Sequence, residues 1–480
     1  MSESTILEAP ERVLSTLNQD GTRRWLRPRL SKGRFYWLRL WVAWGLILLF
    51  TLIPVLKLNG KPLMLLDLGA REFTLFGATF HATDTLLLML LMVGILLSVF
   101  LLTALLGRVW CGWGCPQTVY MEYVFRPIER FIEGDHLSQH QLDQQGGLSP
   151  RRLLKYAVFA VVSAFLANTF LAYWVGWETL LTWITGSPLE NWAGFLVMAV
   201  TTVLMFADFV WFREQTCIVA CPYGRFQSVL LDKHSLIVAY DPHRGEPRAK
   251  LRKGGDRKPG TAGDCIDCNH CVVVCPTGID IREGLQMECI ACTQCIDACD
   301  AIMDKVGTPR GLIRYCSQEE LATGVRRFLR PRVVIYPLAL ALVFGLLVFN
   351  LARREDAVVT ILRGQGTAYT ELPDGRVSNQ LRIKVDNQSG EDRAYWIRLL
   401  EPARSQAIVP SNPFLVPATR MSTTVVVVMT PVELFRGGVP RALFEVTDSL
   451  GFATQVETAL LGPGQARSEA GGKEDRHGGE

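Results

Sequence analysis

Eight cysteines between residues 265 and 299 fall into two copies of one spacing. Cys265-x2-Cys268-x2-Cys271-x3-Cys275-Pro276 returns 24 residues later as Cys289-x2-Cys292-x2-Cys295-x3-Cys299. Three thiolates on one tight loop can grip three irons of a cube, and a remote thiolate closes the fourth corner. In this spacing the fourth cysteine of each copy serves the other cluster. One [4Fe–4S] cluster is therefore expected on Cys265, Cys268, Cys271 and Cys299, and a second on Cys289, Cys292, Cys295 and Cys275. Zinc ribbons use two CxxC pairs rather than a triple followed by x3, and disulfides do not suit a segment facing a reducing compartment. Asp300 stands where the general pattern has proline, which removes no ligand. Two clusters in one small domain point to electrons passing through it, the alternative being clusters that only brace the fold.

A second cysteine pattern is also repeated. Cys111-Gly-Trp-Gly-Cys115-Pro116 and Cys217-Ile-Val-Ala-Cys221-Pro222 lie 106 residues apart, the same offset as the apolar runs that begin at 85 and 191, so the first two and the next two runs read as copies of one helix hairpin ending in CxxxCP. On a helix, thiols at i and i+4 share a face, about 5–6 Å apart at Cβ. The proline removes a backbone donor and biases the cysteine before it away from helix, so each helix should kink or end there. Four soft sulfurs meeting at one place would suit Cu(I), zinc or iron–sulfur chemistry, or a dithiol–disulfide cycle. The plainer alternative is two buried cysteine pairs at helix ends. Cys316 has no partner at ligand spacing and reads as structural. Met89, Met92, Met198 and Met205 read as packing, and Asp208 as a partner for Arg213 at the membrane interface. His81 and His234 are assigned no role.

Positioning falls to long apolar runs. Five stretches, about 36–56, 85–106, 153–175, 191–212 and 333–351, carry the roughly 20 apolar residues that a span needs. Lys and Arg are dense in the N-terminal arm (Arg23, Arg24, Arg27, Arg29, Lys32, Arg34), sparse in the loop after the first run (Lys61 and Arg71), and dense again at Arg108, Arg126, Arg130, Arg151 and Arg152. They are missing from 176–190 and return at Arg213 and at Arg326, Arg327, Arg330 and Arg332. By the positive-inside rule the chain starts inside, and its fifth span carries the C-terminal region outside. With Lys+Arg 50 and Asp+Glu 46 the net charge is only +4, which gives no reason to expect nucleic-acid binding. Beyond the last span, short alternating runs (380–385, 394–400, 422–429, 442–447) separated by turn residues suggest a β-sandwich without cysteine.

The expected architecture is a multi-domain membrane protein, with an α-helical bundle of about five spans, an inserted cytoplasmic two-[4Fe–4S] ferredoxin domain of bacterial type, and a C-terminal β-sandwich. Its expected boundaries are a cytoplasmic basic arm without a cleavable apolar core (1–35), a four-span region with both CxxxCP motifs (36–232) and a cytoplasmic ferredoxin segment (233–332, core 260–305). The fifth span (333–352), a periplasmic β-domain (356–462) and a disordered tail (463–480) follow.

Longer matches narrow this further. Gly107-Arg108-Val109-Trp110-Cys111 running to Pro116-Gln117-Thr118-Val119, Arg213-Glu214-Gln215 running into Cys217 and Cys221-Pro222-Tyr223-Gly224-Arg225-Phe226, Cys275-Pro276-Thr277-Gly278-Ile279-Asp280 and Gly311-Leu312-Ile313-Arg314-Tyr315 resemble the FixG/CcoG family of cytochrome c oxidase accessory proteins. The resemblance implies an immunoglobulin-like C-terminal domain and location in the bacterial cytoplasmic (inner) membrane. It implies cluster ligation by the eight ferredoxin cysteines, and reduction of Cu(II) to Cu(I) in support of cbb-type cytochrome c oxidase assembly. Cys111, Cys115, Cys217 and Cys221 carry over as the copper or redox positions, with copper as substrate or bound ion. Expected partners are the lipid bilayer, oxidase-assembly or copper-handling proteins and an unnamed electron donor. The competing expectations are a quinol-linked subunit of the nitrate or nitrous-oxide polyferredoxin type, and a non-catalytic assembly scaffold.

Overall fold

A computed structural model of the chain describes residues 15–17, 22–58, 61–68, 72–81, 84–147, 149–250, 262–325, 330–353, 356–364, 367–389, 391–418, 420–436 and 438–463. The expectations for most of 1–21, for Arg71, Arg326 and Arg327 and for the tail from 464 lie outside these residues. The described chain forms two compact units, 1–348 and 349–480.

Among the described residues five helices are long and apolar enough to cross a membrane: Arg34–Leu52, Thr85–Leu106, Pro150–Val175 and Trp192–Phe212 in the first unit, and Pro331–Ala352, whose last turn runs into the second. They are called spans 1 to 5 below. Span 1 stops short of the apolar run that continues to Leu56, because Pro54 has no N–H to donate; Ile53 before it keeps helical angles and bonds to Leu49 O. Its first turn is capped from a distance, the Phe35 and Tyr36 amides donating to the Asp297 carboxylate at 3.1 and 2.7 Å. Asp297 lies on the ferredoxin helix Gln294–Val306, so a carboxylate at the positive end of its dipole ties span 1 to the cysteine-bearing region. The loop after span 1 folds into a small antiparallel sheet, β1 (Met64–Asp67), β2 (Glu72–Leu75) and β3 (Ala78–His81). Its short alternating runs were not singled out in the sequence.

The arm is no loose basic tail where it is described. Leu26 is buried, Arg29 donates its amide to Val273 O at 3.0 Å, and the side chains of Arg23 and Arg27 enter ion pairs with Glu214 and Glu129. The arm straps the ferredoxin region to the span ends. That region is closed by β4 (Ile237–Tyr240) pairing antiparallel with β5 (Ile313–Cys316).

The second unit is a sandwich of two antiparallel sheets. Its strands are β6 (Ala357–Arg363), β7 (Arg376–Asn387), β8 (Arg393–Glu401), β9 (Gln406–Ile408), β10 (Phe414–Val416), β11 (Met421–Pro431), β12 (Arg441–Asp448) and β13 (Ala453–Ala459). One sheet runs β9-β11-β7-β6 with a two-residue strand on its edge, and the other runs β10-β8-β12-β13. Inward residues of both, including Val377, Ile383, Tyr395, Val428, Phe444 and Val446, share one core.

Candidate functional site

The local backbone of the two triple-cysteine loops is the same. Asp267 and Asn269 flank Cys268 at φ 50° and 55°, and Ala291 and Thr293 flank Cys292 at 53° and 62°. Non-glycine residues rarely enter this left-handed region, and Thr293 is β-branched, so each loop holds strain on both sides of its middle cysteine. The two bends turn the loop about itself and bring its thiols to one centre. Cys289, Cys292 and Cys295 line a cavity of about 340 Å³ together with Cys275, and Cys265, Cys268 and Cys271 line one of about 370 Å³ together with Cys299. The fourth wall of each cavity thus comes from the other copy. Cys271 lies between the two cavities and lines both; the four thiols of each set, among largely apolar walls, fit the donor set of a [4Fe–4S] cube. The position of Asp300 also has a local reason. The helix Gln294–Val306 runs on through it, where a proline would lose an amide bond, and its carboxylate accepts from Gly311 N at 2.9 Å.

The CxxxCP segments are equally alike. Span 2 breaks at Gly107 (φ 58°, ψ −123°) and span 4 at Arg213 (φ 54°, ψ −121°). Cys111 then sits in the short helix Val109–Trp113 and Cys217 in a π-helical turn, Thr216–Ala220. Cys115 (ψ 126°) and Cys221 (ψ 111°) are extended, and Pro116 and Pro222 open new helices. Proline does end each cysteine turn, and it also starts the next helix, where its fixed φ suits the first position. Only glycine enters the break without strain. A Cβ at Gly107 would stand 2.1 Å from Leu236 O, whereas Arg213 is held there by its side chain, which donates to both Glu129 oxygens at 3.0 Å.

The repeat brings the four sulfurs together: each of Cys111, Cys115, Cys217 and Cys221 interacts electrostatically with the other three. Burial pushes the Cys111 and Cys217 thiols up to about 12, Arg108 pulling Cys111 the other way. A soft cation bound there must displace protons. Among the described residues no three His, Cys, Asp or Glu side chains close tightly enough to hold one metal ion, so these four neighbouring thiols, called the four-cysteine ring below, are not drawn into a closed metal site. The ring adjoins the Cys289 cavity. Cys111 interacts with Cys289, Gly112 packs against the backbone of Ile290 and Ala291, and Cys217 shares a small cavity with Pro276, Thr277 and Ile290. Trp113 Nε1 donates to Tyr315 Oη, which donates to Ala291 O, both at 3.0 Å.

Around this site lies a set of buried charges that sequence reasoning missed. Glu129 accepts from Arg213 and Arg27 and faces Lys155 at 3.4 Å; Lys155 also meets Glu133 at 2.7 Å; Arg126 joins Glu122 to Glu214. The signal was present, since Glu122, Arg126, Glu129 and Glu133 follow i, i+4, i+7, i+11 spacing on one helical face. Arg39 was also overlooked, although an arginine inside an apolar run is costly and marks a partner. Asp208 does not pair with the Arg213 side chain. It accepts from Thr216 Oγ1 at 2.5 Å, while Arg213 turns to Glu129. Met89 and Met92 are exposed on span 2, whereas Met205 packs with Phe125 and Met198 with Leu171, so the methionines form no common path. Cys316 is buried in β5.

Apolar helices of spanning length, two cross-linked thiol cavities and an appended β-sandwich define a membrane iron–sulfur electron-transfer protein. Residues 212–318 match the family described as "4Fe-4S dicluster domain", residues 86–133 the "4Fe-4S binding domain", and residues 347–463 the "IG-like fold at C-terminal of FixG". Protein RdxA of Cereibacter sphaeroides is 37% identical over 390 residues, 77% of this chain and 80% of its own. Protein RdxB of the same organism is 34% identical over 444 residues, 88% and 91% of the two chains, and the nitrogen fixation protein FixG of Rhizobium meliloti is 33% identical over 413, 77% and 78%. A solved FixG-related protein from Vibrio parahaemolyticus aligns with 23% of this chain and 99% of its own at 15% identity and a TM-score of 0.21. The chain belongs to the FixG/CcoG family.

Proposed function

We propose that the protein reduces Cu(II) to Cu(I) at Cys111, Cys115, Cys217 and Cys221, supporting copper delivery to a cbb-type cytochrome c oxidase during its assembly. One observation carries this reading: four thiols from two repeated segments meet against the Cys289 cavity. Soft sulfur favours Cu(I) over Cu(II), so binding at this ring itself pulls the couple toward reduction. Each Cu(II) needs one electron, which is the unit a bound [4Fe–4S] cluster supplies. The eight ferredoxin cysteines would hold two such clusters, in the sets Cys265/Cys268/Cys271/Cys299 and Cys289/Cys292/Cys295/Cys275. The Lys and Arg distribution supports an N-terminus and ferredoxin region on the cytoplasmic side and a β-domain on the other, and the family supports a bacterial inner membrane, where that β-domain would be periplasmic and available to an assembly or copper-handling partner.

The test is anaerobic Cu(II) reduction by purified, reduced protein freed of excess reductant, with the clusters followed by EPR. Cluster oxidation should match Cu(I) formed, and Cys111→Ala/Cys217→Ala should slow it at unchanged iron and sulfide content. Equal rates in the two proteins would remove the four-cysteine assignment, and reduced clusters indifferent to copper would remove the function.

A second reading, quinol as the electron source, gains support from a cavity of about 810 Å³ at the ends of spans 3 and 4, where Tyr156, Phe159 and Trp211 meet Arg27 and Asp143. A hydroquinone there would find aromatic walls and would release two electrons to two one-electron centres and two protons to solvent, Asp143 being paired with Arg27 and Arg152. Reduction of the clusters by a water-soluble hydroquinone, blocked by Phe159→Trp, is the expected result. Reduction unaffected by that change would place the donor elsewhere.

A further inference from the structure

The two thiol-lined cavities differ in their charged surroundings, and the difference has a direction. Beside the Cys289/Cys292/Cys295/Cys275 cavity lie two buried guanidinium groups. Arg39 on span 1 is 1% exposed and donates from Nε to Gly112 O at 3.1 Å and from Nη1 to Cys292 O at 2.6 Å. Arg108, 8% exposed, donates from Nη1 to the carbonyl oxygens of Met287 and Cys289 and from Nη2 to Gly224 O. Arg39 Nη2 and Arg108 Nε are buried with no hydrogen-bond partner. Carbonyl oxygens satisfy N–H groups but leave the formal charge in place, and among the described residues neither arginine forms an ion pair. Among the carboxylates that act on this cavity's cysteines are Glu122, already paired with Arg126, and the half-buried Glu288; Asp297 acts on Arg39 itself, its oxygens accepting from the Phe35 and Tyr36 amides. Beside the other cavity the lining guanidinium is met by carboxylates: Arg282 is tied to Asp280 at 2.6 Å and Asp267 at 2.7 Å, Asp300 stands near Cys299, and Arg29 and Lys305 act on the His270 that lines the cavity.

We propose that Arg39 and Arg108 raise the reduction potential of the cluster held by Cys289, Cys292, Cys295 and Cys275 above that of its neighbour, making it the exit centre toward the four-cysteine ring. Gaining an electron makes a thiolate-bound cluster one unit more negative. A buried cation without an ion-pair partner stabilises that form, and a cation already neutralised by carboxylates does so much less. One electron then passes downhill between the centres, the first oxidised as the second is reduced, with no proton or ligand exchanged. The same arginines fix the distance the electron must next cross, since Arg39 joins Gly112 of one CxxxCP segment to Cys292, and Arg108 joins Gly224, just past the other, to Cys289. They act as positioning residues. The inference rests on the clusters being bound, and not on copper as their acceptor.

EPR-monitored redox titration of the purified full-length protein tests it, with signals assigned through Cys268→Ser and Cys292→Ser. In the unsubstituted protein the centre altered by Cys292→Ser should reduce first. Arg39→Gln and Arg108→Gln should each shift the electron partition between the centres at least tenfold away from it, about 59 mV for one electron, at unchanged iron and sulfide content. Arg39→Lys, which keeps the charge, should retain most of the difference. The reverse order in the unsubstituted protein overturns the proposal without any arginine variant. So does an unchanged partition in a fully loaded Gln variant, or equal shifts in Arg39→Gln and Arg39→Lys. A copper assay that fails would leave this titration as it stands, so the two readings fail separately.

Discussion

Glu129 shows how much a single side chain can hold in place where three elements meet. It is 2% exposed and faces Arg213, Arg27 and Lys155, contributed by the break after span 4, the N-terminal arm and span 3. Burial alone would raise its carboxyl, but Arg213, Arg27 and Lys155 outweigh it and hold it well below the usual carboxylate range. A carboxylate depressed in this way stabilises the fold in full above its unfolded value of about 4.5, and the contribution is lost as the pH falls from there toward the folded value. Glu129→Gln should cost about 3–5 kcal/mol, the range for leaving buried partners uncompensated. It should also flatten acid unfolding below about pH 4.5, read by near-UV circular dichroism in detergent. A loss under 1 kcal/mol with the acid limb unchanged would count against the network. In Glu129→Gln, Arg213 loses the carboxylate that keeps it at positive φ, so the damage should extend to the Cys217 turn. The residue pattern carried part of this. The helical spacing of Glu122, Arg126, Glu129 and Glu133 was readable, but their partners come from segments far away in sequence, and only folding brings them into contact.

At the scale of elements, the repeat of spans 1–2 and 3–4 was legible because cysteine, proline and an apolar run recur at one offset. What could not be read was that both copies break at the same backbone angles, since one uses glycine and the other an arginine held by an ion pair. Likewise the eight-cysteine spacing showed which cysteines belong to which loop. It said nothing of the left-handed residues between them, because Asp, Asn, Ala and Thr carry no common signal for that conformation. The strands between spans 1 and 2 escaped notice because short β runs in a loop resemble connecting sequence. Packing between the first CxxxCP segment and the ferredoxin loop makes a sharp prediction. A Cβ at Gly112 would lie 2.5 Å from Ile290 O, while one at Gly114 would meet only the Trp110 ring at 2.7 Å. Gly112→Ala should cost about 1–3 kcal/mol by overpacking. It should also push the cysteine turn off the cluster loop, slowing copper-driven cluster oxidation severalfold at constant iron content. Gly114→Ala should cost comparable stability and leave that rate near the unsubstituted value. Stopped-flow absorbance at the cluster band compares them, and equal slowing in both would show that the contact with Ile290 is not what sets the rate.

The whole molecule divides into parts with unlike sources of stability. The first unit depends on lipid around its spans and on thiols that close around iron. The second closes its own core, with Val377, Ile383, Val426, Phe444 and Val446 all fully buried, and it contains no cysteine among residues 349–480. Its alternation of buried and exposed residues is clear along β7 and β11, which is why the sandwich was readable in advance, while the order of strands within each sheet was not. Nothing in that core needs the membrane, a metal or a disulfide. The fragment 356–463 should therefore fold alone and melt in one cooperative transition that neither reductant nor iron chelator moves. In the full-length protein, chelation under mild denaturant should bleach the cluster absorbance and loosen the ferredoxin region while the β-sheet circular dichroism persists. The sequence after span 5 carries a second consequence. If five spans place this unit opposite the ferredoxin region, a single cysteine introduced at the exposed Val439 in a cell expressing the protein should react with a membrane-impermeant maleimide from outside. One introduced at the exposed Lys305 should react only after the membrane is opened. Labelling of both, or of neither, in intact cells would contradict the five-span arrangement. Labelling of the first alone would place the β-domain where a periplasmic partner can reach it while the clusters take their electrons from the other side.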